Sequence, residues 1–213
     1  MLNQETQGYG MVLEELNKAI IIGNGESRKK LNLEYYQTGS TLIGCNAIHR
    51  DMVVNHLICC DRRMAEESTN NPDTKNTKIY VRDNWYHYFR KIKKNKNIEH
   101  LPQLPYQGTS KKDKPEHWGS GGYAILLGAN LGFKELEIVG FDLYSTDNLV
   151  NNVYKDTNNY SNANSQSVDP SYWIYQIEQI FKYYPNTKFI IRNSPQWKLP
   201  TEWQKNNVSF VAL

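Results

Sequence analysis

The chain has 213 residues, a net charge of +3, and 22% charged against 39% hydrophobic residues. That length suits one α/β domain with a sizeable core, and the mild charge lacks the strong basic stripe by which nucleic-acid binders usually show themselves. No apolar run approaches the ~18 residues a membrane span needs, and the N-terminus has no basic flank followed by an apolar signal core, so a cytoplasmic protein is expected.

Three cysteines, Cys45, Cys59 and Cys60, form an odd set within apolar, strand-like runs. They read as buried reduced thiols rather than a disulfide framework. No Cys/His spacing suggests structural zinc. Residues 1–10 are polar and expected to fray. Met11, Val12, Leu13 and Leu16 suit a short lead-in helix. Residues 19–22 are the strongest strand signal, β-branched and uncharged. They run into Gly23-Asn24-Gly25-Glu26-Ser27, which lacks the third glycine of a dinucleotide fingerprint and the Gly-Lys-Ser/Thr of a P-loop. This turn offers N–H groups and one side-chain amide at a strand end, although an ordinary strand-to-helix turn reads equally well. Residues 41–45 are a second strand ending in Asn46, and residues 57–60 a third ending in Asp61. Residues 66–78 are a polar loop and 79–81 a short strand. Trp85 to Phe89 is aromatic and precedes a basic run, 90–96. That run reads as a solvated helix face packed by its aromatics, rather than a guide for an anionic acceptor. Pro102, Pro105 and Pro115 mark residues 101–117 as a loop.

The next stretch carries the most information. Gly119, Gly121 and Gly122 let the backbone turn sharply and approach a ligand closely. Ser120 stands where an N-cap belongs, so its hydroxyl and nearby N–H groups are expected to face an anion. Tyr123, Leu126, Leu127, Asn130 and Leu131 fall on one helical face, and Gly132 suits a left-handed C-cap. Residues 136–143 read as a strand covered on both faces, with Asp142 and Tyr144 emerging at its C-terminal end. Asn24, Asn46, Asp61 and Asp142 thus recur at strand ends. In a parallel sheet these converge on one crevice, although turns favour Asn and Asp anyway. Residues 145–170 are rich in Asn, Ser, Asp, Thr and Tyr. A loop of that length is functional or disordered, and beside the ligand edge it reads as a small flexible lid. Pro170 opens a helix reaching 184, with Asp169 as N-cap. Residues 188–192 give a late strand and 208–213 an edge strand. The expected fold is α/β and Rossmann-like, a single domain over 1–213. Its sheet is mostly parallel, with helices on both faces.

These motifs resemble the bacterial sialyltransferases that use a CMP-sugar donor and, more loosely, the sialyl motifs of the animal enzymes. Residues 20–27 resemble that family's first donor-binding loop, usually Gly-Asn-Gly-Pro-Ser, and Cys45-Asn46 resembles its second. His117 through Gly121 and Gly140 through Tyr144 look like its Thr-Ser-Gly helix and its Gly-Ile-Asp-Phe-Tyr strand. The resemblance covers 19–61 and 117–144. It implies metal-independent, inverting sugar transfer from CMP, with no cofactor beyond the donor substrate. Asn24, Asn46 and Ser120 would hold nucleotide and donor, within loops that include Gly23, Gly25, Ser27, Gly119, Gly121 and Asp142. Asp61 stands where the family has a donor-touching Asn. Tyr144 and Tyr154 would stabilise the departing phosphate, whose developing charge needs fixed hydrogen-bond donors. One departure is plain. Residues 165–172 hold no histidine where the family places its general base, and Asp169 and His117 are the nearest substitutes. Three readings follow. The first is a sialyltransferase-like enzyme acting on an unassigned glycan or small-molecule acceptor. The second is a catalytically impaired nucleotide-binding protein of the same fold. The third is a Mg²⁺-dependent pterin pyrophosphokinase-like enzyme using Asp61 and Asp142. Self-association into a homo-oligomer stays open.

Overall fold

The computed structural model describes residues 17–36, 39–145 and 147–213. Residues 1–10 and the lead-in helix expected from Met11, Val12, Leu13 and Leu16 lie outside the described residues. Eight strands follow in chain order: β1 (Lys18–Ile22), β2 (Thr41–Cys45), β3 (His56–Cys59), β4 (Lys78–Val81), β5 (Ile98–His100), β6 (Glu135–Val139), β7 (Lys188–Asn193) and β8 (Val208–Ala212). They form one sheet in the order β5-β4-β3-β2-β1-β6-β7-β8. Every neighbouring pair is parallel. This is a Rossmann-like α/β fold.

The sequence of β1 explains its central place. Ala19 through Ile22 are each 1% exposed or less. Successive side chains point to opposite faces, so a run without polar residues needs cover on both sides. Ala19 and Ile21 join one core cluster, and Ile20 and Ile22 join the other. Four helices supply most of the cover: α1 (Arg62–Asn70), α2 (Asp83–His87), α3 (Ser120–Asn130) and α4 (Ser171–Tyr183). α3 and α4 pack on the Ala19 face, while Met64 and Ala65 of α1 pack on the Ile20 face. Among the described residues no helix is long and apolar enough to cross a membrane.

α3 is buried on more sides than its apolar face predicted, from Gly122 through Ala129. Its surroundings explain this: Trp118, α4 and the sheet pack around it in one cluster. Gly132 adopts φ +85° beyond its end, and its N–H donates to the carbonyl of Ala129 at 3.0 Å, as a left-handed cap should. α4 begins one residue later than expected. Its N-cap is Pro170 and not Asp169, and no side chain caps it; the carboxylate of Asp169, one residue earlier, accepts from the N–H of Ser171 at 2.9 Å.

The strands run outward from β1 to β5 on one side. The chain then returns through α3 to β6 on the other side of β1. The reversal lies between β1 and β6, and such switch points open a crevice at the C-terminal ends of the strands. β6 stops at Val139, earlier than the apolar run 136–143 suggested, because Gly140 (φ +70°) and Leu143 (φ +64°) turn the backbone away. The two strands still hold each other past their ends. Gly23 N–H donates to Val139 at 2.8 Å, and Gly25 N–H to Gly140 at 2.8 Å. A Cβ on Gly23 would sit 2.4 Å from the carbonyl oxygen of Gly140.

β5 escapes sequence reading because only Ile98 of its three residues is apolar, and it pairs with Ile79. The basic run begins as a π-helical turn, Tyr88–Ile92, that continues α2. Residues 145 and 147–170 fold as successive turns with one isolated bridge, Leu149 to Gln166. They are fastened to the β1 loop, because Val153 N–H donates to Asn24 and Glu26 N–H donates to the Asn151 side chain, each at 2.8 Å.

Two outcomes are expected. Gly23→Ala drives a methyl into backbone and should cost upwards of ~3 kcal/mol. Gly132→Ala meets nothing within 4 Å and should cost only the ~1–2 kcal/mol of left-handed strain. Urea midpoints compare the two. At the start of β3, burial, aided by the charge of Lys78, lowers His56 from 6.5 to about 4. The fold therefore holds His56 neutral while the unfolded chain protonates. Its contribution is complete above pH 6.5 and fades as the pH falls toward 4. His56→Gln should flatten stability over that window, read as urea midpoints against pH.

Candidate functional site

Backbone turns, rather than long side chains, build the walls of the switch-point crevice. The cleft encloses ≈ 370 Å³, within the range of small-molecule sites. Residues 23–25 after β1, Cys45 and Asn46 after β2, residues 119–122 at the start of α3 and residues 140–145 after β6 all line it. The loop 147–170 adds Asn151, Asn152, Lys155, Tyr160 and Val168, and α4 adds Trp173 and Ile177.

Ser120 is not the N-cap. Gly119 holds that position in an extended conformation, and no side chain caps the helix. The Ser120 hydroxyl accepts from the N–H of Cys60 at 3.0 Å and donates to Oδ1 of Asn46 at 2.8 Å. It therefore ties α3 to the ends of β2 and β3 instead of facing an anion. What α3 offers the cleft is backbone. The first-turn N–H groups have no intrahelical acceptors, and the helix dipole makes that end attractive to negative charge. Asn46 takes φ +53°, a conformation Asn tolerates better than most residues, and this aims its amide at Ser120.

Asn24 is 9% exposed. Its Nδ2 donates to the Tyr160 hydroxyl at 3.2 Å and more weakly to the Cys45 carbonyl at 3.4 Å. Its Oδ1 is buried without a partner. An unmade buried acceptor costs ~1–3 kcal/mol, so the cleft wall carries an acceptor that a ligand N–H or O–H would satisfy.

Asp142 lines the cleft, but its carboxylate is occupied. It accepts from the N–H of Ser27 at 2.9 Å, from the Ser27 hydroxyl, and from Asn193 Nδ2 at 3.2 Å. Ser27 therefore serves as the other half of a clamp and does not line the cleft. Gly25 is needed here, because a Cβ would lie 2.5 Å from the Asp142 carboxyl carbon. Asp61 also stands outside the cleft. It caps α1 through the N–H of Arg63 at 2.8 Å and pairs with the Arg63 guanidinium at 3.2 Å. Among the described residues no group of three His, Cys, Asp or Glu is placed to hold a metal ion.

The two expected tyrosines separate. Tyr144 lines the cleft at 39% exposure, stacked on Trp197, with its hydroxyl donating to Lys198 O at 3.0 Å. Burial and the charge of Glu202 raise its pKa, so the phenol stays protonated at neutral pH. Tyr154 does not line the cleft. It packs in the other core cluster, its hydroxyl 2.6 Å from both Arg28 Nη2 and Asp51 Oδ2. Tyr160 stands in the cleft instead, against Asn24, and burial raises its pKa too. The sequence places both tyrosines in the same polar loop, and between them the backbone turns at Asp156 (φ +64°) and Asn159 (φ +68°).

Lys155 also escaped sequence reading, and it is the one cation among the described lining residues. Its ammonium lies 3.3 Å from Glu26, which Lys29 approaches more closely at 2.6 Å. Partial burial raises the Glu26 carboxyl, but the two lysines outweigh this and hold it below its ordinary value. Cys45 lines the cleft as a thiol that burial pushes up to about 12, and all three cysteines are free. No described histidine lines the cleft. His117 packs edge-on against Tyr172, and the Asp169 carboxylate holds the N–H and hydroxyl of Ser171.

Asp142→Asn would turn an N–H donor toward the donors of Ser27 and Asn193. A loss of about 2–3 kcal/mol is expected, read by urea unfolding, whereas Asp61→Asn, which keeps a capping oxygen, should cost under ~1 kcal/mol. Set beside known proteins, the chain matches no protein-family model, no curated protein and no solved structure.

Proposed function

We propose that the cleft binds a nucleotide sugar of the CMP-linked, sialic-acid type, and that the protein is a glycosyltransferase-like enzyme. The observation that supports this most is the uncapped start of α3 at the floor of the switch-point cleft. Such a helix end is suited to a phosphate. In this reading the donor phosphate lies against the N–H groups of residues 120–122. Lys155 approaches it and leaves Glu26 to Lys29. The buried, unpartnered Oδ1 of Asn24 accepts from the base amine or a sugar hydroxyl once the ligand displaces its cover. Trp173 gives a flat wall for the base or the sugar. The Tyr160 hydroxyl, kept protonated by burial, donates to the departing phosphate, and the Tyr144 hydroxyl joins it on leaving the carbonyl of Lys198. Transfer on this scheme needs no metal and no cofactor.

One observation favours a second reading. The cleft holds no described imidazole, and its carboxylate, Asp142, is already engaged three times. A general base contributes ~10²–10⁴-fold. A donor-binding protein that transfers slowly fits that lining. The pyrophosphokinase reading has less support, because Asp61 and Asp142 do not share the cleft.

Thermal shift tests the proposal. CMP at about 100 times its dissociation constant stabilises by about 2.7 kcal/mol, a rise of several degrees for a chain this long. The shift should be selective over UDP, GDP and NAD and independent of Mg²⁺. Lys155→Ala should weaken CMP about five- to tenfold, the worth of one partly shielded charge contact, and leave uncharged cytidine unchanged. A shift only with ATP and Mg²⁺ would replace this reading with the kinase one. Consumption of a CMP-sugar, followed by chromatography, separates transfer from binding alone.

A further inference from the structure

The cleft occupies the C-terminal ends of the strands. The N-terminal ends of β3 to β5 form a corner on the opposite edge of the sheet. Backbone bonds knit it together: Lys78 N–H donates to Asn55 at 3.0 Å, Ile79 N–H to Asn97 at 2.8 Å, and the Asn97 side chain to the Lys75 carbonyl. Lys75, Lys78, Lys93, Lys94 and Lys96 are all exposed there. None forms an ion pair with a described residue. Amid these lysines, Ile92 stands 62% exposed on the π-helical turn. Val53, two residues before Asn55, is 49% exposed. The protein thus presents unpaired cations around aliphatic tips.

We propose that this corner docks on an anionic lipid surface. Lysines near such a surface attract its headgroups, while an aliphatic tip reaches the headgroup–acyl boundary. Single-stranded nucleic acid is the competing polyanion, and it calls for free aromatic faces on which bases stack. Tyr88, on the turn that carries Ile92, is already taken: the Arg62 guanidinium lies 4.7 Å and the Lys93 ammonium 5.7 Å from its ring. Docking by this edge points the cleft away from the lipid and leaves it open to solvent. The inference does not depend on what the cleft binds.

The experiment is co-sedimentation of the full chain with vesicles of phosphatidylcholine, alone or with about 30% phosphatidylserine. Binding is expected only to the anionic vesicles at about 0.1 M salt, with release at about 1 M, where the Debye length falls from about 10 to about 3 Å. Each lysine near the surface is worth about 1 kcal/mol, about fivefold in partitioning. Lys93→Glu combined with Lys94→Glu should therefore reduce partitioning more than about 25-fold with an unchanged melting temperature. Ile92→Ser should reduce it several-fold without altering the salt dependence. No binding, equal binding to neutral vesicles, or an unaffected double variant overturns the proposal. So does single-stranded RNA that binds more tightly than the vesicles and is indifferent to Ile92→Ser.

Discussion

The close approach of β1 and β6 at their C-terminal ends is the constraint on which the rest of the molecule depends. Gly23 and Gly140 meet backbone to backbone, and neither position leaves room for a Cβ. Just beyond them the Asp142 carboxylate takes the N–H and the hydroxyl of Ser27. This clamp sets where both loops go. The β1 loop turns one way into a short helix, Glu26–Lys30, and the β6 loop turns the other way toward Tyr144. Ala19 to Ile22 of β1 pack on both faces up to this line, so the crevice stands directly on the core.

A consequence is that the polar residues around the cleft are mostly engaged with one another. Ser120 joins Cys60 to Asn46, Asp142 joins Ser27 to Asn193, and Asn24 reaches Tyr160. These bonds hold three glycine-containing turns at fixed separation. What faces the cleft is then the backbone at the start of α3, two phenols and one ammonium, with one unsatisfied amide oxygen buried in its wall. Among the described lining residues the one carboxylate, Asp142, is engaged, and there is no imidazole.

Local patterns are legible wherever one residue type has a single physical use. The β-branched run of β1 required two buried faces, and Gly132 suited a left-handed helix end; the structure has both. Gly119, Gly121 and Gly122 were legible as turn glycines before a helix, and all three line the cleft. Residues with two uses were not. An Asp after a strand either meets a ligand or caps the next helix, and Asp61 caps α1. A Ser before a helix either caps it or bridges to a neighbour, and Ser120 bridges. Short β5 carried too few apolar residues to be seen without its partner.

The sequence by itself determined the α/β alternation, the central strand, the glycine turns and the edge of the sheet where the polar residues gather. Those features follow from period, β-branching and turn chemistry, which act over a few residues. The tertiary structure alone decided that Tyr160 and not Tyr154 faces the cleft. It also decided that Lys155 is the cleft's cation and that Asp142 fastens the loop beside it. The reason is geometric. A side chain's direction in a loop depends on the sum of many backbone turns and on partners more than a hundred residues away, such as Ser27 for Asp142 and Asn24 for Tyr160.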